Sequence, residues 1–292
     1  MIELDVTLRD GRTLHVYDHG GPDGDGQVVV QHHGTPGSGL AYPPDIEKGR
    51  ERGLRPITYD RAGYGGSTPN PGRAVADVVP DIEDVLDALG VERYVSVGGS
   101  GGCPHSFACG ALSGRCLAAA AIAAPTPYPA DGIDWLAGMG DQNVEEFNAA
   151  LEGPAALEPI LQREAAELRD ATPDQITEVW ASVLPPVDKA VLTGDRAEHF
   201  KRSSDRSLAQ GIAGWRDDDL AFTRPWGFEL DQIRVPTLLW QGAQDLMVPV
   251  AHARWLAERI PGVEAHISEE DGHLSIAVGR LGEIYEWLAS RF

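Results

Sequence analysis

A glycine-rich pentapeptide, Gly98-Gly99-Ser100-Gly101-Gly102, does most to limit how this chain can fold. It matches G-x-S-x-G, follows the strand-like run Tyr94-Val95-Ser96-Val97 and precedes a helix-compatible stretch through Ala111-Leu112. A serine on a tight strand-to-helix turn holds its hydroxyl up at the end of a sheet. Such a turn crowds the backbone. Gly98 and Gly102 leave room for strand and helix to approach, and Gly101 exposes a backbone N–H beside the hydroxyl. That N–H would lie at a helix N-terminus, where partial positive charge favours a developing oxyanion. The pentapeptide alone is equally compatible with a plain βα turn that carries an incidental serine.

The remaining pattern supplies the context. Ile2 to Leu8 and Thr13 to Tyr17 alternate around Asp10-Gly11 and read as a hairpin, followed by a loop from Gly20 to Gly26. Strand-like runs recur at Gln27 to Gln31, Pro56 to Tyr59, Ala118 to Ala124, Thr237 to Trp240 and Val263 to Ile267. Val75 to Leu89 carries Val78, Ile82, Val85, Leu86 and Leu89 at helical spacing, with Pro80 near its start and Gly90 as a C-cap. A last helix is expected from about Ser275 to the C-terminus. Strands alternating with helices predict an α/β fold, a mostly parallel sheet with helices on both faces. Ligands in such folds bind at the carboxyl ends of the strands. From Pro125 to about Gln210 the chain reads as helical, with prolines 154, 159, 173, 185 and 186 breaking it into short pieces. The expected organisation is a core of residues 1–124 and 211–292 with a helical cap, 125–210, inserted in it.

Composition narrows the partners. With 292 residues, 42% of them hydrophobic, the chain can bury a substantial core without disulfides. A net charge of -21 argues against nucleic acid or an anionic membrane surface and leaves a small-molecule substrate as the expected partner. The start, Met1-Ile2-Glu3-Leu4-Asp5, has neither a basic block nor an apolar one, so no signal peptide and no membrane span are expected. Cys103, Cys109 and Cys116 match no zinc spacing and read as reduced cysteines of a cytoplasmic protein. His199, His252 and His266 form no ligand pattern either, so no metal is assigned.

Ser100 needs a base to become a nucleophile, and the base needs an orienting acid. Gln241-Gly242-Ala243-Gln244-Asp245 follows the Thr237 strand, and Asp271-Gly272-His273 follows the Val263 strand. His273 would take the Ser100 proton, and Asp245 would fix the imidazole tautomer. Taken singly, Asp245 could merely cap a helix, and His273 could pair within its acidic surroundings. The order Ser, Asp, His after successive strands makes the catalytic account the stronger one. His32-His33-Gly34-Thr35-Pro36-Gly37 follows the first buried strand, where a second oxyanion donor should arise. The candidate donors are the N–H groups of Thr35 and Gly101. His33 is expected to shape this loop rather than act as a base.

With these motifs the chain resembles the α/β-hydrolase superfamily, in particular its enzymes with a helical lid. His33-Gly34-Thr35-Pro36-Gly37 resembles the HGxPG oxyanion loop. Asp60 to Ser67 resembles the D-x-x-G-x-G-x-S turn, and Gly242 to Asp245 with Val248-Pro249 resembles the acid turn. The resemblance implies an eight-stranded sheet, the triad Ser100, Asp245 and His273, and no cofactor. A serine nucleophile, in place of aspartate, implies acyl transfer to water on an ester, lactone, thioester or amide. A small to medium apolar acyl substrate is the narrower expectation. Proline iminopeptidases usually carry Trp where this chain has Gly101, which weakens an aminopeptidase reading. That reading also needs cap carboxylates, and Glu145 and Glu146 read more simply as a solvated helix face. A non-catalytic binding protein on the same scaffold is the more distant alternative. Candidate apolar liners of the pocket are Trp135, Met139, Phe147, Trp180 and Trp215, with Trp135 and Met139 put forward as substrate contacts beside His33. Asp217-Asp218-Asp219 is expected to start a surface helix, and His105 to be a packed core residue.

Overall fold

A computed structural model describes residues 1–20 and 26–292, so most of the loop expected from Gly20 to Gly26 lies outside the described residues. The strands are β1 (Ile2–Thr7), β2 (Thr13–Asp18), β3 (Gln27–His32), β4 (Leu54–Tyr59), β5 (Tyr94–Gly99), β6 (Cys116–Ile122), β7 (Thr237–Gly242) and β8 (Glu264–Ser268). They form one sheet in the order β1-β2-β4-β3-β5-β6-β7-β8. β2 runs antiparallel to both β1 and β4, and the pairs from β3 and β4 through β8 are parallel. The fold is the α/β-hydrolase fold that the motifs implied.

Alternation puts successive side chains on opposite faces of the sheet. With α1 (Pro43–Arg50) lying between β3 and β4 in the chain, Val28 and Val30 of β3 enter one core layer with Val78, Ile82, Val85 and Leu86 of α2 (Val78–Ala88) and Phe107 of the helix Cys103–Leu112, here α3. Val29 enters the opposite layer with Val95, Val97 and the Ile276, Ile284 and Leu288 face of the C-terminal helix His273–Ala289. Such a sheet, covered on both faces, is the reason β3, β5 and β6 read as near-continuous apolar runs.

Two local signals resolve differently from their expected form. The hairpin closes through Arg9, Asp10 and Gly11, with Leu8 N–H bonded to the Arg12 carbonyl at 2.8 Å and Gly11 at φ 88°. It is a three-residue loop with a left-handed glycine rather than a two-residue turn. The helix expected from Val75 begins as a 3-10 turn over Val75–Asp77 before α2. It ends as foreseen: Gly90 has φ 66°, and Val91 N–H reaches back to the Leu86 carbonyl at 2.9 Å.

Between β6 and β7 the chain forms α4 (Asp141–Glu152), α5 (Pro154–Asp170), α6 (Ile176–Val179), α7 (Pro186–Val191), α8 (Gly194–Ser207) and α9 (Ala213–Phe222). Leu157, Leu161, Ala165 and Leu168 of α5 make a buried stripe against Ala149, Ala150, Trp215 and Leu220. Pro159 does not break this stretch. It sits inside the 17 residues of α5, where it removes one backbone bond while the buried stripe holds the helix on both sides.

The sheet order creates the site. From β3 the chain turns outward to β4, while β5 lies on the other side of β3. A crevice forms where strand order reverses in this way, at the carboxyl ends of the strands. Those ends belong to the His33 to Gly37 loop and to the Ser100 turn.

Candidate active site

Ser100 has φ 53°, in the left-handed region that a side chain with a Cβ enters only at a cost. The glycines explain how the turn closes around it. A Cβ on Gly98 would lie 2.2 Å from the Gly102 carbonyl oxygen, and one on Gly102 would lie 2.1 Å from the His32 oxygen. A Cβ on Gly101 would meet Thr35 Oγ1 at 2.4 Å. Strand, helix and the end of β3 therefore touch backbone to backbone, and the Thr35 side chain packs on Gly101, which brings the two expected oxyanion donors side by side next to Ser100.

Asp245 and His273 lie 28 residues apart in sequence and meet at 2.8 Å, Nδ1 of the buried imidazole to Oδ2 of the buried carboxylate. The carboxylate is itself fixed. Its Oδ1 accepts the N–H groups of Met247 and Val248, both at 2.8 Å, and its Oδ2 accepts Gln241 Nε2 at 2.9 Å. These bonds orient the imidazole with its Nδ1–H toward Asp245, which leaves Nε2 as the basic nitrogen. Burial disfavours the charged ring, but the charge of Asp245, its hydrogen bond and the charge of Asp188 outweigh burial. The His273 pKa is therefore raised above the ordinary histidine value.

Asp188 carried no functional expectation. It is wholly buried on α7 and takes the N–H groups of His273 at 2.7 Å, Leu274 at 3.0 Å and Ser275 at 2.8 Å, together with the Ser275 hydroxyl at 2.8 Å. These are unpaired donors at the start of the His273–Ala289 helix, so a remote carboxylate caps it.

Two cavities meet at Ser100. The outer one is lined by Ser100, His273, His33, Phe200 and Leu274. The inner one is lined by Ser100, Gly101 and Thr35 together with all five expected apolar liners, Trp135, Met139, Phe147, Trp180 and Trp215. His252 holds Trp135 in place by donating from Nε2 to its carbonyl at 2.9 Å. His33 reaches the outer wall, but its ring is occupied: Nδ1 donates to the Gly34 carbonyl at 2.7 Å and Nε2 accepts the Arg61 N–H at 3.0 Å. Burial and the Arg61 charge keep that ring neutral.

Behind the His33 to Gly37 loop lies an ion cluster that reverses one expectation. Asp217, Asp218 and Asp219 do not start a surface helix; they are buried in the middle of α9. Asp218 pairs with Arg61, bonds Arg73 Nη2 at 2.7 Å, and accepts the hydroxyls of Tyr64 at 2.9 Å and Thr35 at 2.7 Å. Burial opposes its charge, but the two guanidiniums overcome this and hold its pKa far below the carboxylate range. Arg61 also bonds the His33 carbonyl at 2.8 Å. His105 is in the core as expected, and its Nδ1 donates to the Gly101 carbonyl at 2.9 Å. The partners stand 145 and 157 residues from Asp218. The only local hint was an acidic run flanked by Trp215 and by Leu220-Ala221-Phe222.

Glu145 is exposed and paired with Arg163, as a solvated face requires, but its neighbour Glu146 is buried and accepts Trp215 Nε1 at 2.6 Å. Cys103 is buried, donates to the Gly98 and Ile122 carbonyls at 3.2 Å, and has its thiol pKa pushed up by burial. Among the described residues no group of three or more His, Cys, Asp or Glu side chains is arranged to hold a metal ion. Among the same residues no helix is long and apolar enough to cross a membrane.

The sheet and the site together define a class of protein. The sequence matches the family described as alpha/beta hydrolase fold over residues 27–279, and the chain belongs to it as an enzyme of that superfamily. A protein named for carbamate hydrolysis, RutD of Caulobacter sp. (strain K31), is 28% identical over 268 residues, 87% of each chain. The 2-hydroxy-6-oxononadienedioate/2-hydroxy-6-oxononatrienedioate hydrolase of Cupriavidus pinatubonensis is 27% identical over 285 residues, 92% of this chain and 88% of the relative. Among solved structures, a hydrolase from Pseudomonas aeruginosa PA01 superposes with a TM-score of 0.71 at 19% identity, covering 99% of this chain and 97% of that one.

Proposed function

We propose that the protein is a serine hydrolase that cleaves an ester-like acyl bond through an acyl-enzyme. One observation carries the reading: the buried Asp245–His273 pair, 2.8 Å apart, opens on the same cavity as the strained Ser100 turn. His273 Nε2 takes the Ser100 proton as Oγ bonds to the carbonyl carbon. Charge develops on the carbonyl oxygen, which the N–H groups of Thr35 and Gly101 receive. The leaving alcohol takes the proton from His273. Water then gives a proton to His273 and its oxygen to the acyl carbon, and His273 returns that proton to Ser100 Oγ as the bond from Oγ to the acyl carbon breaks and the acid departs. Each oxyanion donor contributes about 10²- to 10³-fold to turnover in such sites.

The partner is a small molecule, and residues 125–210 form the roof over it. The apolar lining contributed by Trp135 and Met139 supports an acyl group held under that roof, away from water. The test is hydrolysis of p-nitrophenyl acetate against proline p-nitroanilide. The reading expects burst release from the ester, lost in Ser100→Ala. Cleavage of the anilide alone would replace it with an aminopeptidase.

A further inference from the structure

The inner cavity contains acids that the hydrolytic steps do not use. Glu146 of α4, Glu164 of α5 and Asp219 of α9 are 7%, 5% and 0% exposed, and all three line the cavity that ends at Ser100. Asp219 finds a partner only in the neighbouring carboxyl of Glu146, no N–H reaches either of its oxygens, and Glu164 Oε1 has no donor. Glu146 has the Trp215 N–H. The surrounding charges are committed elsewhere. Arg163 holds Glu145 at 2.8 Å and stands 3.5 Å from Glu164. Arg61 and Arg73 hold Asp218, while Arg216 holds Asp217 and Glu158. Glu167, beyond Glu164 on α5, adds only negative charge. Buried carboxyls without donors are costly unless a proton or a cation satisfies them.

The two cavities also assign the two ends of the substrate. His273 lines the outer cavity and must protonate the leaving group, so the leaving group lies there. The acyl part then enters the inner cavity, toward the acids.

We propose that Glu146, Glu164 and Asp219 form a subsite for a protonated nitrogen on the acyl side of the substrate. The substrate class becomes esters of amino-bearing acyl groups, and plain apolar esters are secondary. This rests on Ser100 acting as the nucleophile. The three acids do not meet the arrangement expected for a metal ion, which leaves an organic cation as the fitting occupant. Burial first, then repulsion between neighbouring acids, holds Asp219 well above the carboxyl range and Glu164 up to about 8. Burial raises Glu146 as well, against its hydrogen bonds to Asp219 and Trp215. Without a bound cation the cluster therefore keeps protons at neutral pH, and an arriving ammonium displaces one. Binding releases a proton and strengthens as pH rises, until the ligand nitrogen itself deprotonates.

The experiment uses the Ser100→Ala protein, which binds without cleaving, and two esters of nearly equal shape. Alanine methyl ester carries an ammonium where methyl isobutyrate carries a methyl group. Calorimetry is run just below neutral pH in two buffers of different ionisation enthalpy. The expected result is at least about tenfold tighter binding of the alanine ester, with a heat that shifts between buffers in the sense of proton release. Asp219→Asn and Glu164→Gln, each placed in the same background, should each bring the ratio of the two affinities most of the way to one. Glu164→Gln stands in if Asp219→Asn fails to fold. Equal binding of the two esters, or a preference that survives both substitutions, overturns the subsite. Wild-type hydrolysis of the two esters is read separately. If neither is cleaved although the preference in binding is present, the subsite stands and the hydrolase reading falls. If both are cleaved with equal efficiency, the subsite falls and the hydrolase reading stands.

Discussion

Asp188 Oδ2 accepts the backbone N–H of His273 at 2.7 Å, so a residue of the segment between β6 and β7 holds the proposed catalytic base of the core. The fit is tight: a Cβ on Gly272 would come within 2.6 Å of the same carboxylate. Asp188→Asn keeps the shape but removes the charge. It should lower kcat more than it raises KM, because it shifts the imidazole and not the cavity wall. Since Asp188 contributes to raising the His273 pKa, the acid limb of the rate profile should move to lower pH. An unchanged limb would reduce Asp188 to a helix cap.

His273 also fixes the sign of the wild-type pH dependence. The base must be neutral to accept a proton, and its pKa is raised, so activity should fall on acidification from above the ordinary histidine value. For stability the sign is opposite. The charged ring contributes its full stabilisation below the unfolded histidine pKa, and this fades as pH rises through the higher folded value. Rate profiles and denaturant midpoints between mildly acidic and mildly alkaline pH check both.

Asp245→Asn should leave the fold intact and lower kcat by about 10⁴-fold, because an amide favours the wrong imidazole tautomer. Steady-state kinetics on any ester the protein turns over, with circular dichroism as the fold control, measures this. A loss of under tenfold would mean that Asp245 does not orient His273.

Asp218→Ala should cost about 3–5 kcal/mol, because it leaves Arg61 and Arg73 buried without their counter-charge. Its depressed pKa gives stability that is present above the unfolded carboxyl value and is lost only as pH falls through the much lower folded value. Urea titration of the two proteins reads the difference. A change of less than about 1 kcal/mol would show that the cluster is dispensable for the fold.

The core elements were legible in the sequence because local rules govern them. Val28 to Val30, Val95 and Val97 are buried on both sides and read as strands, and Gly98 and Gly102 announced a turn in which a Cβ would meet backbone at 2.2 and 2.1 Å. What escaped depends on distant partners. Asp217 to Asp219 looked like a solvated run because the guanidiniums that make burial possible come from Arg61 and Arg73. Glu146 shares a helix and a charge with exposed Glu145, and only the packing of α4 against α9 separates them. Asp188 is one acid on a short helix, and its role appears only when the start of the His273 helix is laid against it. Pro159 misled for a related reason: the apolar stripe that keeps α5 continuous gains its strength from Trp215 and Leu220, far along the chain.

The central claim is that the Ser100 hydroxyl is a nucleophile activated by its surroundings. Mass spectrometry of the protein after exposure to a fluorophosphonate tests it most directly. The account predicts a single stable adduct mapping to Ser100, absent from Ser100→Ala and formed far more slowly by His273→Ala. An adduct on another residue, or labelling that is as fast without His273 as with it, would contradict the account.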